Sequence, residues 1–142
     1  MRVGLTSGCF DLIHYGHVRY LERCRALCDR LLVGVDCDAL VKAAKGDERP
    51  IIPELERLEM VQNLAPVDAA FLLHDLDDLE RIVRQFRVER MFKHEGFKDM
   101  ENVIGVDDGE EGQEGLAVLY IVPDIPGLVS TSEIIKRVKG KS

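Results

Sequence analysis

The sequence lacks the features of several large functional classes. Its 142 residues contain no apolar run long enough to span a membrane, and the first residues do not have the pattern of a signal peptide. The formal net charge is −7, so the chain has no excess of the basic residues that nucleic-acid binding requires. We therefore expect a cytoplasmic protein that binds neither membranes nor nucleic acids.

Two common phosphate-binding patterns and a metal-binding pattern are also missing. Neither Gly-x-x-x-x-Gly-Lys-Ser/Thr nor Gly-x-Gly-x-x-Gly after a strand occurs, which argues against P-loop kinases and dinucleotide dehydrogenases. The cysteines do not form a close-spaced metal pattern, and buried, reduced thiols explain them best. These cysteines are Cys9, Cys24, Cys28 and Cys37.

Apolar segments of strand and helix type alternate along the chain. Hydrophobic residues make up 46% of it, which is ordinary for a globular protein, and the length suits one domain over residues 1–142. Five strands are predicted, at 3–5, 30–35, 68–73, 90–93 and 116–122. Helices are predicted after His17, from Cys37 or Asp38, from Pro53, over 75–86 and after Ser132. This alternation is typical of an α/β, Rossmann-like, doubly wound parallel sheet.

Helical periodicity predicts which side chains face the core. In the helix that follows Pro53, the inner face is expected to carry Leu55, Leu58, Val61 and Leu64. In the helix over 75–86, the expected stripe is Leu76, Leu79, Ile82, Val83 and Phe86. Residues 105–115 are acidic and glycine-rich, and we interpret them as a loop whose carboxylates would repel phosphate.

The stretch from Gly8 to His17 joins the first strand to the first helix. This junction lies at the carboxyl end of a strand, where open α/β sheets bind ligands. The start of the helix adds free N–H groups and a positive dipole end, which favour phosphate. His14 and His17 lie three residues apart at this point, and Gly16 lets the backbone turn or a ligand come close. We predict a phosphate-binding site here.

The same stretch, Gly-Cys-Phe-Asp-Leu-Ile-His-Tyr-Gly-His, resembles the G-x-F-D-x-x-H-x-G-H signature of the cytidylyltransferase-like nucleotidyltransferases. The resemblance implies the HxGH nucleotidyltransferase fold and a homodimer. It also implies transfer of a nucleotide from CTP or ATP, with Mg²⁺, to a small phosphorylated acceptor. The nucleotide would contact Gly8, Cys9, Phe10, Gly16 and the two histidines, with His14 and His17 as catalytic residues.

A second motif lies near the end of the chain, at Ser130, Thr131 and Ser132. Three hydroxyl residues before an apolar helix form a typical N-cap. Followed by Glu133-Ile134-Ile135, they also resemble the family's R-T-E-G-I-S-T-[ST]-x-[IL]-[IL] motif, in which the hydroxyls and the helix start hold the triphosphate. The arginine of that motif is missing here, where Pro-Asp-Ile-Pro occupies residues 123–126. Heptose-phosphate adenylyltransferases lack it too.

Three cations are candidates for phosphate contacts. By the resemblance, Lys45 is catalytic and reaches a substrate phosphate, and Arg57 matches a Glu-Arg step of the family on the next helix. Lys93 stands near a family loop that contacts base or acceptor. Asp11 is expected to organise the loop around it by accepting backbone N–H bonds. Asp11 or Asp38 is the candidate ligand for magnesium.

Three functions remain open at this point. Tyr15 and the Ser-Thr-Ser-Glu-Ile-Ile run resemble the choline- and ethanolamine-phosphate enzymes, which favours CTP as donor and an acceptor such as glycerol 3-phosphate. The run Val18-Arg19-Tyr20-Leu21-Glu22 resembles heptose-1-phosphate adenylyltransferases, which makes ATP the alternative. The missing arginine also leaves open a regulatory nucleotide-binding module without catalysis.

Overall fold

The computed structural model describes residues 1–94, 117–123 and 130–140. The loop predicted over 105–115 and the residues 124–129 that precede the second motif lie outside the described residues. Within the described ranges, strands and helices alternate nearly as predicted. In chain order they are β1 (Val3–Gly8), α1 (Tyr15–Ala26), β2 (Arg30–Asp36), α2 (Asp38–Lys45), α3 (Glu54–Gln62), β3 (Ala69–Leu73), α4 (Leu76–Gln85), β4 (Arg90–His94), β5 (Val118–Val122) and α5 (Thr131–Val138).

The five strands form one parallel sheet in the order β3-β2-β1-β4-β5. This arrangement confirms the Rossmann-like prediction. The chain reverses its direction of winding between β1 and β4, and a crevice opens there at the carboxyl ends of the strands. The pairing of β1 with β4 ends at Thr6 and Phe92, whereas β1 stays paired with β2 as far as Gly8. The first motif therefore leaves the sheet beside this crevice.

Each face of the sheet carries its own hydrophobic core. On one face, Leu21 and Cys24 of α1 and Val61 of α3 pack on alternate residues of the strands. On the other, α4 contributes Leu79, Ile82 and Val83, which pack on the intervening strand residues. Helices thus cover both faces, which explains why β2 is a nearly continuous apolar run.

The predicted inner face of α3 is wrong at one end. Leu55 is 67% exposed, whereas Arg57 and Val61 are the buried residues of this helix. Leu55 and Val61 are six residues apart, which at 3.6 residues per turn places them about a third of a turn apart around the helix. Leucine and valine residues that follow one another at intervals of three residues therefore cannot all face the core. Leu76, the first residue of α4, is likewise half exposed.

All four cysteines carry free thiols, and three of them are buried, as expected. Burial raises the pKa of the Cys24 thiol to about 12, so this side chain behaves as a small apolar group. Among the helices of the described residues, none is both long and apolar enough to cross a membrane.

Candidate active site

Two imidazoles form the cap of α1. His14 is the N-cap, and its Nδ1 accepts a hydrogen bond from the Gly16 N–H at 3.0 Å. The Nδ1 of His17 accepts the His14 N–H at 3.1 Å, which closes a reciprocal capping box. The two ring centroids lie 4.0 Å apart. Because Nδ1 is an acceptor in both rings, each neutral imidazole carries its proton on Nε2 and keeps that N–H as a donor.

Both histidines are held in the neutral form. Burial, together with the neighbouring His14 and Lys45, lowers the pKa of His17 to about 4, against an opposing effect of Asp11. Burial also lowers the pKa of His14. At pH 7 the pair therefore offers hydrogen-bond donors without positive charge.

The pKa of His17 predicts how stability depends on pH. In the folded state this pKa is near 4, against an ordinary value of 6.5, so between these values the unfolded chain binds more protons. Acidification from pH 7 to pH 5 should then remove about 1–2 kcal/mol of unfolding free energy through this group. Urea unfolding at both pH values measures the loss, and His17→Gln should reduce it. An equal loss in wild type and variant would contradict this assignment.

The turn before the histidines has an unusual backbone. Phe10 and Leu12 both have φ of 52°, in the left-handed region that non-glycine residues rarely adopt. The Phe10 ring lies with its centroid 5.6 Å from that of His17. A Cβ on Gly8 would meet the Phe10 ring at 3.0 Å, so glycine at this position lets the ring fold back over the strand end.

Asp11, between these two residues, is buried and holds a distant loop. Its carboxylate accepts the N–H groups of Ile51 and Ile52 at 2.8 and 2.9 Å, and the Nε of Arg49 donates to it at 3.0 Å. Burial alone would raise the pKa of Asp11, but these hydrogen bonds outweigh it and lower the pKa. The expected organising role is confirmed, although the N–H groups belong to residues about 40 positions away rather than to its own turn.

The second motif meets the first at the backbone of Asp11. Ser130 caps α5 by accepting the Glu133 N–H at 3.1 Å, which confirms the predicted N-cap. The hydroxyl of Thr131 donates to the Asp11 carbonyl at 2.8 Å. The starts of α1 and α5 therefore lie on either side of one turn, and both direct a positive dipole end to this edge of the sheet.

A basic groove lies beside this meeting point. Its volume is about 420 Å³, and its lining includes Ser132 and three cations, Lys45, Arg49 and Lys139. Among the described lining residues, Glu48 is the one carboxylate. Lys45 is the last residue of α2, and its charge acts on His17 and on Asp36. Lys45 thus lies in the groove, and its charge reaches His17.

Lys93 lies at the carboxyl end of β4, at the edge of the crevice. Its side chain is buried, and burial lowers its pKa against the opposing effect of Asp36 at the end of β2. Burial raises the pKa of Asp36, against the effect of Lys93, Arg57 and Lys45. A carboxylate and an ammonium group thus flank the strand that leads into the first motif.

Arg57 has contacts that differ from those expected. It is only 1% exposed, and its guanidinium donates to three backbone carbonyls and to the Asp38 carboxylate. The carbonyls are those of Cys9, Asp36 and Ile52, at 2.6, 2.7 and 2.8 Å. Arg57 was predicted to contact substrate, but its N–H groups donate to these acceptors of the protein itself. Its position therefore supports a structural role.

The two candidate magnesium ligands do not fit that role. Both carboxylate oxygens of Asp11 already accept hydrogen bonds, and Asp38 is paired with Arg57 at 2.8 Å. In the described ranges, no cluster of three or more His, Cys, Asp and Glu side chains is arranged to hold a metal ion. We therefore derive no step through a metal bound by these residues.

Several contacts of the site were not indicated by the sequence. Arg49, which ranks below Lys45 and Arg57 as a candidate cation, binds Asp11, and Glu54 holds the start of α2. Tyr20 bonds to the buried Thr6 hydroxyl at 2.7 Å, next to the crevice. Arg57, Val61 and Leu64 follow the spacing i, i+4, i+7, so a stricter helical pattern would have placed Arg57 on the buried face. The other contacts join residues far apart in sequence, and no local pattern indicates them.

Comparison with known proteins agrees with this geometry. The model of the family described as cytidylyltransferase-like matches residues 5–137. Bifunctional protein HldE of Rhodopseudomonas palustris (strain BisB18) is 36% identical over 142 residues, which is all of this chain and 28% of the relative. Bifunctional protein HldE of a Nitratiruptor species is 33% identical over 97% of this chain and 28% of its own length. The chain thus spans less than a third of these relatives.

Solved structures share the fold. A lipopolysaccharide core biosynthesis protein from Thermoplasma volcanium is 24% identical with a TM-score of 0.62, over 88% of this chain and 97% of that one. Pantothenate synthetase from Thermus thermophilus is 15% identical with a TM-score of 0.54, over 95% and 61%. The family match covers both motifs, with the paired imidazoles and the cap of α5, and it extends from within β1 through strands β2 to β5. This chain belongs to the cytidylyltransferase-like family.

Proposed function

We propose that this chain transfers a nucleoside monophosphate from a nucleoside triphosphate to a small phosphorylated sugar or alcohol and releases pyrophosphate. The observation that carries the proposal is the pair of neutral imidazoles at the start of α1, with Nδ1 bound to the backbone and Nε2–H kept as a donor. The family and the HldE relatives support a transferase of this kind.

The chemistry is an in-line displacement at the α-phosphorus. A phosphate oxygen of the acceptor forms the new P–O bond, and the bond from the α-phosphorus to the bridging oxygen breaks, so pyrophosphate leaves with that electron pair. The acceptor phosphate is already ionised at neutral pH, so no general base is needed. The protein contributes positioning and charge stabilisation.

In this scheme, the Nε2–H groups of His14 and His17 donate to oxygens of the reacting phosphate as charge develops. Each preorganised donor of this type contributes roughly 3–4 kcal/mol to the transition state, by analogy with oxyanion holes. Neutral donors suit the task, because they keep their protons when pyrophosphate leaves. Lys45 adds a mobile positive charge, and the hydroxyls of Ser130 and Ser132 with the start of α5 receive the outer phosphates.

Gly8, Cys9, Phe10 and Gly16 form the nucleotide side of the same proposal. The left-handed turn at Phe10 and the absence of a side chain at Gly8 leave the strand end close to the crevice, where a ligand can approach the backbone. Lys93, at the end of β4, is the residue that we propose for contact with the acceptor. Magnesium arrives with the triphosphate as part of the substrate.

The nucleotide donor of the proposed reaction is either ATP or CTP. The relatives reported above are named HldE, which supports the ATP-dependent, heptose-1-phosphate type of transfer that was the alternative to CTP. We therefore propose ATP as donor and a sugar 1-phosphate as acceptor. CTP stays the second candidate because Tyr15 and the Ser-Thr-Ser run resemble the cytidylyltransferases.

A ligand screen tests the donor. A ligand that binds only the folded state adds about 2.7 kcal/mol to the free energy of unfolding when its concentration is a hundred times Kd. The melting temperature rises as a result. We expect the magnesium complex of ATP to raise the melting temperature more than those of CTP and GTP. A larger shift with CTP would overturn the ATP assignment and restore the first expectation.

Pyrophosphate release separates the enzyme from a silent binding module. With ATP and a panel of sugar 1-phosphates and alditol phosphates, wild type should release pyrophosphate only when an acceptor is present. Binding of ATP without release against any acceptor would favour the regulatory module. Sedimentation of the same preparation tests the homodimer that the resemblance implies.

A further inference from the structure

The residues from Asp38 to Ile52, here called the 38–52 segment, carry Lys45 to the site, and one side chain contacts both of its ends. We infer that Arg57 is a positioning residue that fixes the 38–52 segment, and through it Lys45, with respect to His17. This inference rests on the proposed function, in which Lys45 contacts a substrate phosphate.

The first end of the segment is held at the start of α2. The Nη2 of Arg57 donates to the Asp38 carboxylate at 2.8 Å, and its Nη1 donates to the carbonyl of Asp36 at 2.7 Å, where β2 ends. Glu54 adds a contact, because its carboxylate accepts the Asp38 N–H at 2.9 Å. The direction in which α2 leaves the sheet is therefore fixed by side chains of α3.

The second end of the segment is held by the same guanidinium. The Nε of Arg57 donates to the Ile52 carbonyl at 2.8 Å, while the N–H of Ile52 is bound by Asp11. The Nη1 of Arg57 also reaches the Cys9 carbonyl at 2.6 Å, in the turn that leads to the histidines. One buried group thus joins both ends of the 38–52 segment to the histidine-bearing loop.

The geometry of α2 makes this anchoring matter for Lys45. The helix has eight residues, so it is about 12 Å long, with Asp38 at one end and Lys45 at the other. A tilt of about 10° at the Asp38 end would move Lys45 by roughly 2 Å. Misplacement of a phosphate-binding group by 1 Å can cost about 100-fold in rate.

A direct contact between Arg57 and substrate fits the structure less well. The side chain is 1% exposed, and four of its N–H donations go to acceptors of the protein itself. A lysine at this position would keep the charge but lose the planar fork that reaches carbonyls in several directions. Arg57→Lys therefore weakens the anchoring with little change in the charge of the site.

A double-mutant cycle tests whether Arg57 acts through Lys45. Arg57→Lys should lower kcat by about 10- to 100-fold in an otherwise wild-type chain. In the background of Lys45→Ala, the same replacement should lower kcat by less than about twofold, since the group that it positions is absent. Equal effects in both backgrounds would overturn the inference, as would a rise in KM for the acceptor with unchanged kcat.

Amide hydrogen exchange provides a readout that does not depend on turnover. Arg57→Lys should raise exchange at residues 38–52 and leave α4 unchanged, whereas Arg84→Lys, which alters an exposed pair with Glu80, should change neither region. Exchange as slow as in wild type would overturn the inference even if the chain lacks transferase activity. If Arg57→Lys does not fold, Asp38→Asn, which alters only the partly exposed partner, takes its place in both experiments.

Discussion

Replacement of His17 with glutamine is expected to lower kcat by about 10²- to 10³-fold and to leave the melting temperature at pH 7 close to that of wild type. In the proposed function the imidazole of His17 has two separable functions, because Nδ1 accepts the His14 N–H while Nε2–H would donate to the substrate. Glutamine at the third helical position is a normal partner in a capping box, so it can accept the same N–H. The amide does not restore the donor at the position of Nε2.

Two further variants separate loss of the imidazole donor from a general effect of replacing a histidine. His14→Asn should behave in the same way, because asparagine is a good N-cap that lacks the imidazole donor. His74→Gln is the matched control: His74 is exposed, and it bonds to Asp78 beside the start of α4, on a different helix. Steady-state kinetics and thermal melting measure both properties. A His17→Gln enzyme with kcat within about threefold of wild type would refute the proposed donor role, since one such donor is worth far more.

The second large effect is on stability, where Asp11→Ala should cost about 3–5 kcal/mol of unfolding free energy. The replacement leaves the guanidinium of Arg49 without its carboxylate and the N–H groups of Ile51 and Ile52 without their acceptor. Each buried donor that loses its acceptor lowers the free energy of unfolding by roughly 1–3 kcal/mol, and here two backbone N–H groups lose theirs. Denaturant unfolding at pH 7 measures the loss.

The pH profile distinguishes this mechanism from general disruption. The pKa of Asp11 is lowered in the folded state, so its contribution is complete above its unfolded pKa and is lost as pH falls through the folded value. The gap in stability between wild type and Asp11→Ala should therefore narrow as the pH falls through the folded-state pKa of Asp11. As a control, Asp29→Ala removes an exposed carboxylate that accepts the Arg2 N–H, and it should have a much smaller effect. A constant gap between wild type and Asp11→Ala across the pH range would count against the carboxylate as the cause.

Local patterns carried most of the correct predictions. The order of strands and helices follows from hydrophobic periodicity, and the cap at Ser130 follows from a short hydroxyl motif before an apolar helix. The cap at His14 was not predicted. The contact of Lys45 with a substrate phosphate came from the family resemblance and stays a prediction, although its charge does act on His17. The features predicted correctly depend on neighbours within a few residues or on a shared motif.

The contacts that the sequence did not indicate are those between distant segments. Asp11 binds N–H groups 40 and 41 residues away, and Arg57 reaches Cys9, 48 residues before it. Nothing within a few residues of Asp11 or Arg57 signals these partners, because the fold alone brings the segments together. A charged residue in a helix is by default expected to be exposed, and Arg57 departs from that default because the ends of two strands present bare carbonyls beside it.

The reciprocal cap of α1 also bears on how this chain can diverge. Serine at position 14 and glutamate at position 17 would give an ordinary capping box and a well-formed helix, so a descendant could abandon catalysis and still fold. The opposite replacement is not tolerated. A side chain that keeps the donor towards the ligand but cannot accept a backbone N–H hydrogen bond would leave the first turn of α1 frayed. Under the proposed function, loss of activity is therefore an easy evolutionary step for this scaffold, because the fold of the first turn does not require imidazoles.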